Sequence, residues 1–561
     1  MYQQVLDPVS DSLGLTTLFA VLPLLTLFVL LGVVRTKAYV AGLAALAVAI
    51  VVAIAVYGMP VGQAALSATE GAVFGFFPIL WIVINAIWIY NMTVATGHFA
   101  VLRRAFGQIS ADKRIQAVIV AFSFGALIEG LAGFGTPVAI TAVMLIALGF
   151  SPLKAAMLAL IGNTAPVAFG SIATPIITLA DLTDLPKEDL GAMVGRQTPL
   201  LALVVPLILI AVVDGRRGLR EAWMPALVAG VAFALGQFIA SNFISVELTD
   251  IIGSLLSVGV LILFLRVWRP AQPLLEDPDA EPRAGLGGRP AIAGAAAYDA
   301  RLEAENARRN RDGGDSPKEV VEAFAPYIII IAVFALAQIE PFKGWLAAPT
   351  QQFDWPGMDI RNSAGEPVSS QTFNFNWLAA PGTLALICGL LTGIVLRLSP
   401  ARMLKAYGDT LRQLAPAIAT VMAVLSLAYV MNQSGQTLTI GTWAAGAGDL
   451  FAFLSPIIGW LGVAVTGSDT SSNALFGTLQ VQAARESGLS EILLAASNSS
   501  GGVLGKMISP QNLAIGAAAV GMSGREGDIL RKVLGWSLVL LLFMCALVFL
   551  QSTDVLGWMV P

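Results

Sequence analysis

Apolar segments of membrane-crossing length follow one another along almost the whole chain, and any fold must satisfy them first. They fall near 14–34, 38–57, 72–95, 194–213, 222–241, 248–267, 322–339, 377–396, 413–432 and 530–550. About 20 helical residues at ~1.5 Å each cross a hydrocarbon core ~30 Å thick. Every backbone N–H and C=O needs an internal partner there, so these segments are expected as helices. Composition agrees, with 57% hydrophobic and 12% charged residues and a mean hydropathy of +0.78. A length of 561 residues is therefore read as an all-α polytopic membrane protein and not as several soluble domains. The net charge of −4 says little about partners, because the charges lie between the apolar segments. Cys388 and Cys545 both fall inside apolar helices and read as packing residues. No basic residue precedes the first apolar run, so a cleaved leader is not expected.

Four further segments are interrupted. Residues 153–182 and 489–522 look like crossing helices broken at Gly170–Pro175 and Gly505–Pro510. Residues 115–149 and 449–485 read as re-entrant hairpins with tips at 130–137 and 465–473. In the first tip, Ile128-Glu129-Gly130-Leu131-Ala132-Gly133-Phe134-Gly135-Thr136-Pro137, Gly133 and Gly135 permit a sharp reversal. Thr136 is expected as N-cap and Pro137 as first helical residue. The helix after it is too short to span. The count is then twelve crossings plus two hairpins, with both termini on one side. Basic residues set the orientation. Arg35, Lys37, Arg103, Arg104, Lys113, Arg114, Lys154 and Arg216 are among those placed in the cytoplasm. Five of the 32 Lys and Arg are left outside, Lys506 is left within the membrane, and both termini lie outside.

The chain divides into a first half, 1–269, a linker, 270–320, and a second half, 321–561. The linker is rich in Ala, Gly, Pro and mixed charge and is expected to be a mobile cytoplasmic connector, with a helical piece around 295–310. Segment 340–376 is expected as an external loop with little pattern. A shift of 335 positions aligns the halves: Thr136 with Ser471, Asn163 with Asn498, Thr164 with Ser499, Gly170 with Gly505, Thr174 with Ser509 and Pro175 with Pro510. A shift of 338 pairs Pro78 with Pro416 and Gly97 with Gly435. The first hairpin opens from the cytoplasm and the second from outside, the plan of an inverted-topology repeat. Chance similarity among Gly/Ala-rich helices is the alternative.

Four helix starts would then point at the membrane midplane, each with unpaired N–H groups and partial positive charge. Hydroxyls and amides surround them. Asn163, Thr164, Asn498, Ser499, Ser471 and Ser472, with the backbone at Gly133 and Gly135, are the candidate substrate ligands; some would only cap their own helices. Glu129, Asp469 and Lys506 are read as the charges deep in apolar segments. Each is costly there, by at least ~2.5 kcal/mol on insertion scales. Lys506 is expected to hold a substrate carboxylate, and Glu129 or Asp469 to carry a proton, with Glu129 preferred and Asp469 paired to Lys506. The alternative is an ion pair that only neutralises charge. His98 reads as an interfacial residue, Arg196 as a snorkelling anchor, and Asn85 as lining or packing.

At these residues the chain resembles the L-lactate permease family, which includes glycolate permeases. The matching stretches are Phe124-Gly125-Ala126 with Glu129-Gly130, Gly133-Phe134-Gly135 with Pro137-Val138-Ala139-Ile140, and Asn163 through Gly170. In the second half they are Leu461-Gly462-Val463, Thr466 through Phe476, and Gly505-Lys506-Met507-Ile508-Ser509-Pro510-Gln511. The resemblance implies proton-coupled import of L-lactate and related 2-hydroxymonocarboxylates across a bacterial inner membrane. It also implies similarity to a wider ion-transporter superfamily with paired hairpins and elevator-like motion. Expected partners are a small monocarboxylate, protons and the lipid bilayer; no cofactor, metal or nucleic acid is expected, and the oligomeric state is open, a homodimer included. A sodium-coupled carboxylate transporter is the alternative. An intramembrane enzyme is disfavoured, since no His-Glu-x-x-His run exists and His98 is the single histidine. Midplane breaks in a repeat argue against a channel.

Overall fold

The computed structural model describes every residue except 35, 108, 134, 278–314, 363–364 and 369–370. Its described residues are nearly all helical. In chain order the helices are α1 (Leu13–Ala20), α2 (Leu22–Phe28), α3 (Ala38–Ala55), α4 (Val61–Phe74), α5 (Trp81–Ala95), α6 (His98–Gly107), α7 (Lys113–Ala117), α8 (Gly125–Ala132), α9 (Thr136–Ala147), α10 (Pro152–Gly162), α11 (Gly170–Thr183), α12 (Lys187–Ile239) and α13 (Thr249–Val267). They continue as α14 (Pro317–Gln338), α15 (Glu340–Ala347), α16 (Pro381–Val395), α17 (Pro400–Ser434), α18 (Gln436–Ala444), α19 (Phe451–Thr466), α20 (Asp469–Ser487), α21 (Glu491–Gly505), α22 (Pro510–Ala519) and α23 (Glu526–Gln551).

Among the described residues ten helical stretches are long and apolar enough to cross a membrane, or eleven when the pair 152–162 and 167–183, bent by 64°, counts as one span. The difference from twelve has physical causes. The expected crossings 194–213 and 222–241 lie in one helical element, kinked at Asp214, Gly215 and Ala222 instead of parted by a loop. The crossing expected at 377–396 is the shorter α16. The first arm of the 115–149 hairpin, Lys113–Ala132, is itself long and apolar enough to be counted as a span.

The elements correspond half to half. At the shifts above, α3 falls on α16, α4–α5 on α17, α8 on α19, α9 on α20, α10 on α21, α11 on α22, and the first limb of α12 on α23. Packing between halves comes in exchanged pairs: α3 against α17 and α16 against α5, α11 against α20 and α22 against α9, α12 against α21 and α23 against α10. Exchanged pairs of this kind are what a pseudo-two-fold relation produces. Gly97 and Gly435, aligned by the shift of 338, both take positive φ, 79° and 91°.

Helices α3, α4, α5, α16 and α17 pack as one group, and the hairpins and broken helices as another, flanked by α12 and α23. Helix α13 packs on the first hairpin through α8. Small residues allow close approach here: a Cβ on Gly130 of α8 would sit 3.3 Å from the Ile251 side chain of α13, and one on Gly236 of α12 2.8 Å from the Gly253 Cα of α13. Close backbone approach recurs in the second group, where a Cβ on Gly501 would lie 2.6 Å from the Pro456 Cα and one on Gly505 2.9 Å from the Ala464 nitrogen.

Two expectations about loops are corrected. Segment 340–376 holds α15 and strands β2 (Gln351–Asp354), β3 (Ile360–Arg361) and β4 (Thr372–Phe375). β2 and β4 pair antiparallel, and β3 pairs in parallel with β1 (Tyr2–Gln3), so the molecule is not purely helical. The alternating polar and aromatic residues of Thr372–Phe375 suit a half-buried strand. The start of the linker is also fixed. The fully buried Arg114 donates to the Gln272 carbonyl at 2.9 Å, and the Lys113 N–H to the Leu274 carbonyl at 2.8 Å. Lys154 and the Ser151 N–H hold the Asp277 carboxylate at 2.7 and 2.8 Å. Arg114 also meets Asp112, Asp214 and Glu221, which compensates its buried charge. The piece expected as helix around 295–310 lies outside the described residues. Arg196, expected as a snorkelling anchor, donates to Asn242 Oδ1 at 2.9 Å and to the Met559 carbonyl at 2.8 Å. Asn85 packs, donating to the Trp81 and Gly382 carbonyls.

Gly501→Ala is expected to destabilise the protein by ~1–3 kcal/mol through overpacking. Gly535→Ala, where a Cβ meets open space, should leave stability unchanged or slightly raised. Thermal unfolding of the two variants in detergent checks this.

Candidate functional site

The first hairpin turns because Gly133 (φ −35°, ψ −142°) leaves the helix and Gly135 (φ 83°) enters the left-handed region. Gly135, not Thr136, is the N-cap of α9, so Thr136 is already helical and no side chain caps the turn. Instead the Gly133 N–H donates to the Ser171 hydroxyl at 3.0 Å. In the second hairpin Gly467 (φ 75°) ends α19. Ser468 caps α20, its hydroxyl accepting from the Ser471 N–H at 3.2 Å.

The two broken helices break differently. In the first, Ser171, Ile172 and Ala173 are left-handed, with φ of 47°, 57° and 55°, so regular helix resumes at Thr174 as the sequence suggested. A β-branched Ile in that region is strained, by ~1–3 kcal/mol for such residues. Its fully buried side chain helps to hold it. In the second, Lys506–Ile508 tighten into a 3₁₀ turn. Ser509 then caps α22, its hydroxyl accepting from the Asn512 N–H at 3.3 Å, with Pro510 following as expected.

These tips converge. A cavity of about 30 Å³ is lined by Glu129, Gly133, Gly170, Ser171, Thr174, Pro175, Ser468, Asp469, Thr470 and Lys506, among others. It borders both hairpin tips and the resumed α11; the start of α22 lies just beyond it. Inside, Lys506 Nζ donates to Glu129 Oε1 at 2.5 Å, with side-chain exposures of 7% and 2%. The pair joins the broken helix of the second half to the hairpin of the first. Among the described residues Glu129 Oε2 has no hydrogen-bond partner. Asp469 Oδ2 accepts from the Ser499 hydroxyl at 2.5 Å, and its Oδ1 is unpartnered. The expected Lys506–Asp469 pairing is therefore replaced by Lys506–Glu129. Gly170 is required by it: a Cβ there would lie 2.7 Å from Glu129 Oε1.

The remaining predicted residues separate. Asn498 donates to Asn473 Oδ1 at 2.9 Å and accepts from Gln480 at 3.3 Å. Ser472 donates to the Gly459 carbonyl and Thr164 to that of Ile161. These bonds tie the hairpin and broken-helix segments of the second half to one another and the first broken helix to its own backbone. Asn163 is the exception, buried with both amide atoms unpartnered, four residues before Val167, which lines the cavity. Asn473, donating to the Pro175 carbonyl at 3.0 Å, ties the two halves together at the helix break. Asp250 was missed. It is buried in the first turn of α13 against Gly130, where a Cβ would lie 3.3 Å from its own. Its place two residues inside a predicted crossing leaves it out of a search for charges deep in apolar segments; the glycine next to Glu129 was the available signal.

A chain of crossing helices whose hairpins and broken helices meet at a buried ion pair and cavity defines a membrane transporter, not an enzyme. The chain belongs to the L-lactate permease family, whose model matches residues 16–554. It is 40% identical to the L-lactate permease of Salmonella typhi over 573 residues, covering 100% of both chains. It is 39% identical to that of Bacillus subtilis, again over 100% of each, and 39% identical to the glycolate permease GlcA of Escherichia coli over 98% of each. Among solved structures it is similar to MtrF of Neisseria gonorrhoeae, from a class of antimetabolite efflux pumps, at 15% identity and a TM-score of 0.47 over 87% of this chain and 83% of that one. It is likewise similar to the YdaH transporter of Alcanivorax borkumensis, at 15% identity and a TM-score of 0.43, over 87% and 88%.

Breaking a buried pair by removing one partner costs ~3–5 kcal/mol, whereas removing both can be neutral. Lys506→Met is therefore expected to lower the unfolding temperature sharply, and Glu129→Gln combined with Lys506→Met to recover most of the loss. A double-mutant cycle by thermal unfolding in detergent measures the coupling; additive effects would show that the pair does not interact.

Proposed function

We propose that the protein imports L-lactate and related 2-hydroxymonocarboxylates, glycolate among them, by proton symport across a bacterial inner membrane. The single observation that carries this reading is the Lys506–Glu129 pair set in the cavity between the hairpin tips. The names of the full-length relatives support the substrate class. Lys506 is a cation already matched to one carboxylate, so a substrate carboxylate can replace Glu129 as its partner. Glu129 then faces a new anion without its cation, which favours protonation. One anion and one proton enter together, and the net charge of the site is unchanged. That spares the translocation step the transfer of a net charge through low dielectric. Asn163, offering a donor and an acceptor, reads the 2-hydroxyl. Asp469, held by Ser499, keeps the second tip in register and is the other candidate for the proton.

Alternating access follows an elevator plan in this proposal. The hairpin group slides against the group built on α3–α5, α16 and α17, and the two halves run in opposite senses through the membrane. A polar vestibule of about 670 Å³ supports it. The vestibule lies between the two groups, with Phe74 and Tyr429 on one side and Thr183 and Arg485 on the other. At about 30 Å³, the inner cavity is smaller than a three-carbon hydroxyacid needs, so the tips must part for substrate to enter.

In proteoliposomes with an imposed inward proton gradient and no sodium, the wild-type protein should accumulate labelled L-lactate, competed by glycolate; accumulation that requires sodium would overturn proton coupling. Glu129→Gln should lose accumulation while keeping part of lactate exchange, and retained accumulation would pass the proton role to Asp469. Asn163→Ala should weaken L-lactate by about 1–3 kcal/mol, the cost of an unmade buried hydrogen bond, and propionate far less, measured by competition for uptake.

A further inference from the structure

Asp250 does not line the cavity, yet it lies within electrostatic reach of both Glu129 and Lys506. It is 1% exposed. Among the described residues no hydrogen bond of good geometry reaches either carboxylate oxygen, although the Gln237 amide lies against it. Gln237 donates instead to the Ala165 carbonyl at 3.3 Å. A purely structural carboxylate would be expected to carry donors or a cation, since an unpaired buried anion is among the costliest groups a protein can hold. The charges facing Asp250 from the packed elements are Glu129 on α8 and Lys506 on the 3₁₀ turn, and Lys506 is already bonded to Glu129. A second anion beside Glu129 would repel it; the carboxylic acid would not. In the 3₁₀ turn just before its helix lies Glu247, three residues earlier. Glu247 is occupied by Lys187 at 2.6 Å and by the Ser245 hydroxyl at 2.6 Å. Lys187 is 27% exposed, so this pair links the start of α13 to the surface at the α11–α12 turn.

We propose that Asp250 is the relay through which protons reach Glu129, entering from the α13 end while the substrate enters through the hairpin cavity. The inference rests on the proton-symport reading above. When a substrate carboxylate takes Lys506, the released Glu129 side chain moves to within hydrogen-bond distance of Asp250; the Asp250 O–H bond then breaks and its proton forms an O–H bond with Glu129 Oε2, an oxygen without a partner among the described residues. The Asp250 carboxylate then takes a proton from hydronium at the outer face, past Glu247 and Lys187. One proton enters from solvent for each one delivered. Asp250 touches no substrate, so its role is to supply the proton.

The test uses the full-length protein in liposomes of phosphatidylethanolamine and phosphatidylglycerol. Asp250→Asn keeps size and neutrality but cannot pass a proton through a carboxyl. Proton-driven L-lactate uptake should fall on the order of 100-fold, the scale of a lost proton-transfer group. Exchange of labelled for unlabelled lactate at equal pH should stay within about twofold, since the proton need not leave Glu129 in that cycle. Asp250→Glu should restore part of the uptake with a shifted pH profile. Uptake by Asp250→Asn with the wild-type rate and pH profile would overturn the relay. So would equal loss of uptake and exchange in protein that stays monodisperse in detergent, because that marks a packing role. Wild-type protein that exchanges lactate but never accumulates it on a pH gradient would instead bring down the symport reading itself.

Discussion

A buried cation and its one bonded carboxylate set the terms for the rest of the molecule. Lys506 and Glu129 meet at 2.5 Å with almost no exposure, in a part of the chain where an unpaired charge costs several kcal/mol. Their separation of 377 residues means that each half satisfies its charge through the other. The broken helix of one half must reach the hairpin of the other, and the chain must reverse at Gly133 and Gly135 to present Glu129 there. The glycine at 170 follows from the same demand, since a side chain at that position would press on the Glu129 carboxylate.

Breaking helices inside a membrane frees backbone groups that must then be satisfied within the protein. The buried hydroxyls and amides do this work. Ser171 receives the Gly133 N–H, Ser468 and Ser509 cap the helices after the breaks, and Asn473 reaches the Pro175 carbonyl across the repeat. Association of apolar helices in lipid depends on close packing more than on hydrophobicity. Backbone approaches at Gly236, Gly501 and Gly505 serve that end. Polar and small residues thus share one task, which explains why most of the hydroxyls near the site are spent on the fold.

Most of the apolar helices, the helix breaks and the chain reversals at Gly133–Gly135 and Gly467 were legible in the sequence because they depend on local signals: apolar runs, glycines, and Ser-Pro or Thr-Pro helix starts. The convergence of Glu129, Asp469 and Lys506 was legible because charges in apolar runs are rare. What failed needed three dimensions. Which acid pairs with Lys506 is a question of distance across two halves, and the sequence offered both. Asn498 and Asn163 are equivalent under the repeat, yet one is bonded on both sides and the other on neither. Asp250 hid at the end of a crossing, where acids are ordinarily solvated. The kink at Asp214–Gly215, the small sheets of 340–376 and the docking of Gln272–Asp277 depend on partners far away in sequence.

The repeat is close in its backbone and unequal in its chemistry. Lys506 falls on Ser171, Glu129 on Ala464, and Asn163, unpartnered, on Asn498, bonded. A two-fold arrangement of helix starts gives a site that can be approached in the same manner from either face, which suits a transporter. Strict symmetry in the charges would place two cations or two acids against each other at the axis, and like charges in low dielectric repel strongly. A single cation bonded to a single acid avoids that. It also gives the site one carboxylate that can be exchanged for another, and so a binding reaction whose charge is balanced before the substrate arrives. In the proposed cycle the backbone would keep the symmetry that alternating access needs, while the side chains break it at the Lys506–Glu129 pair.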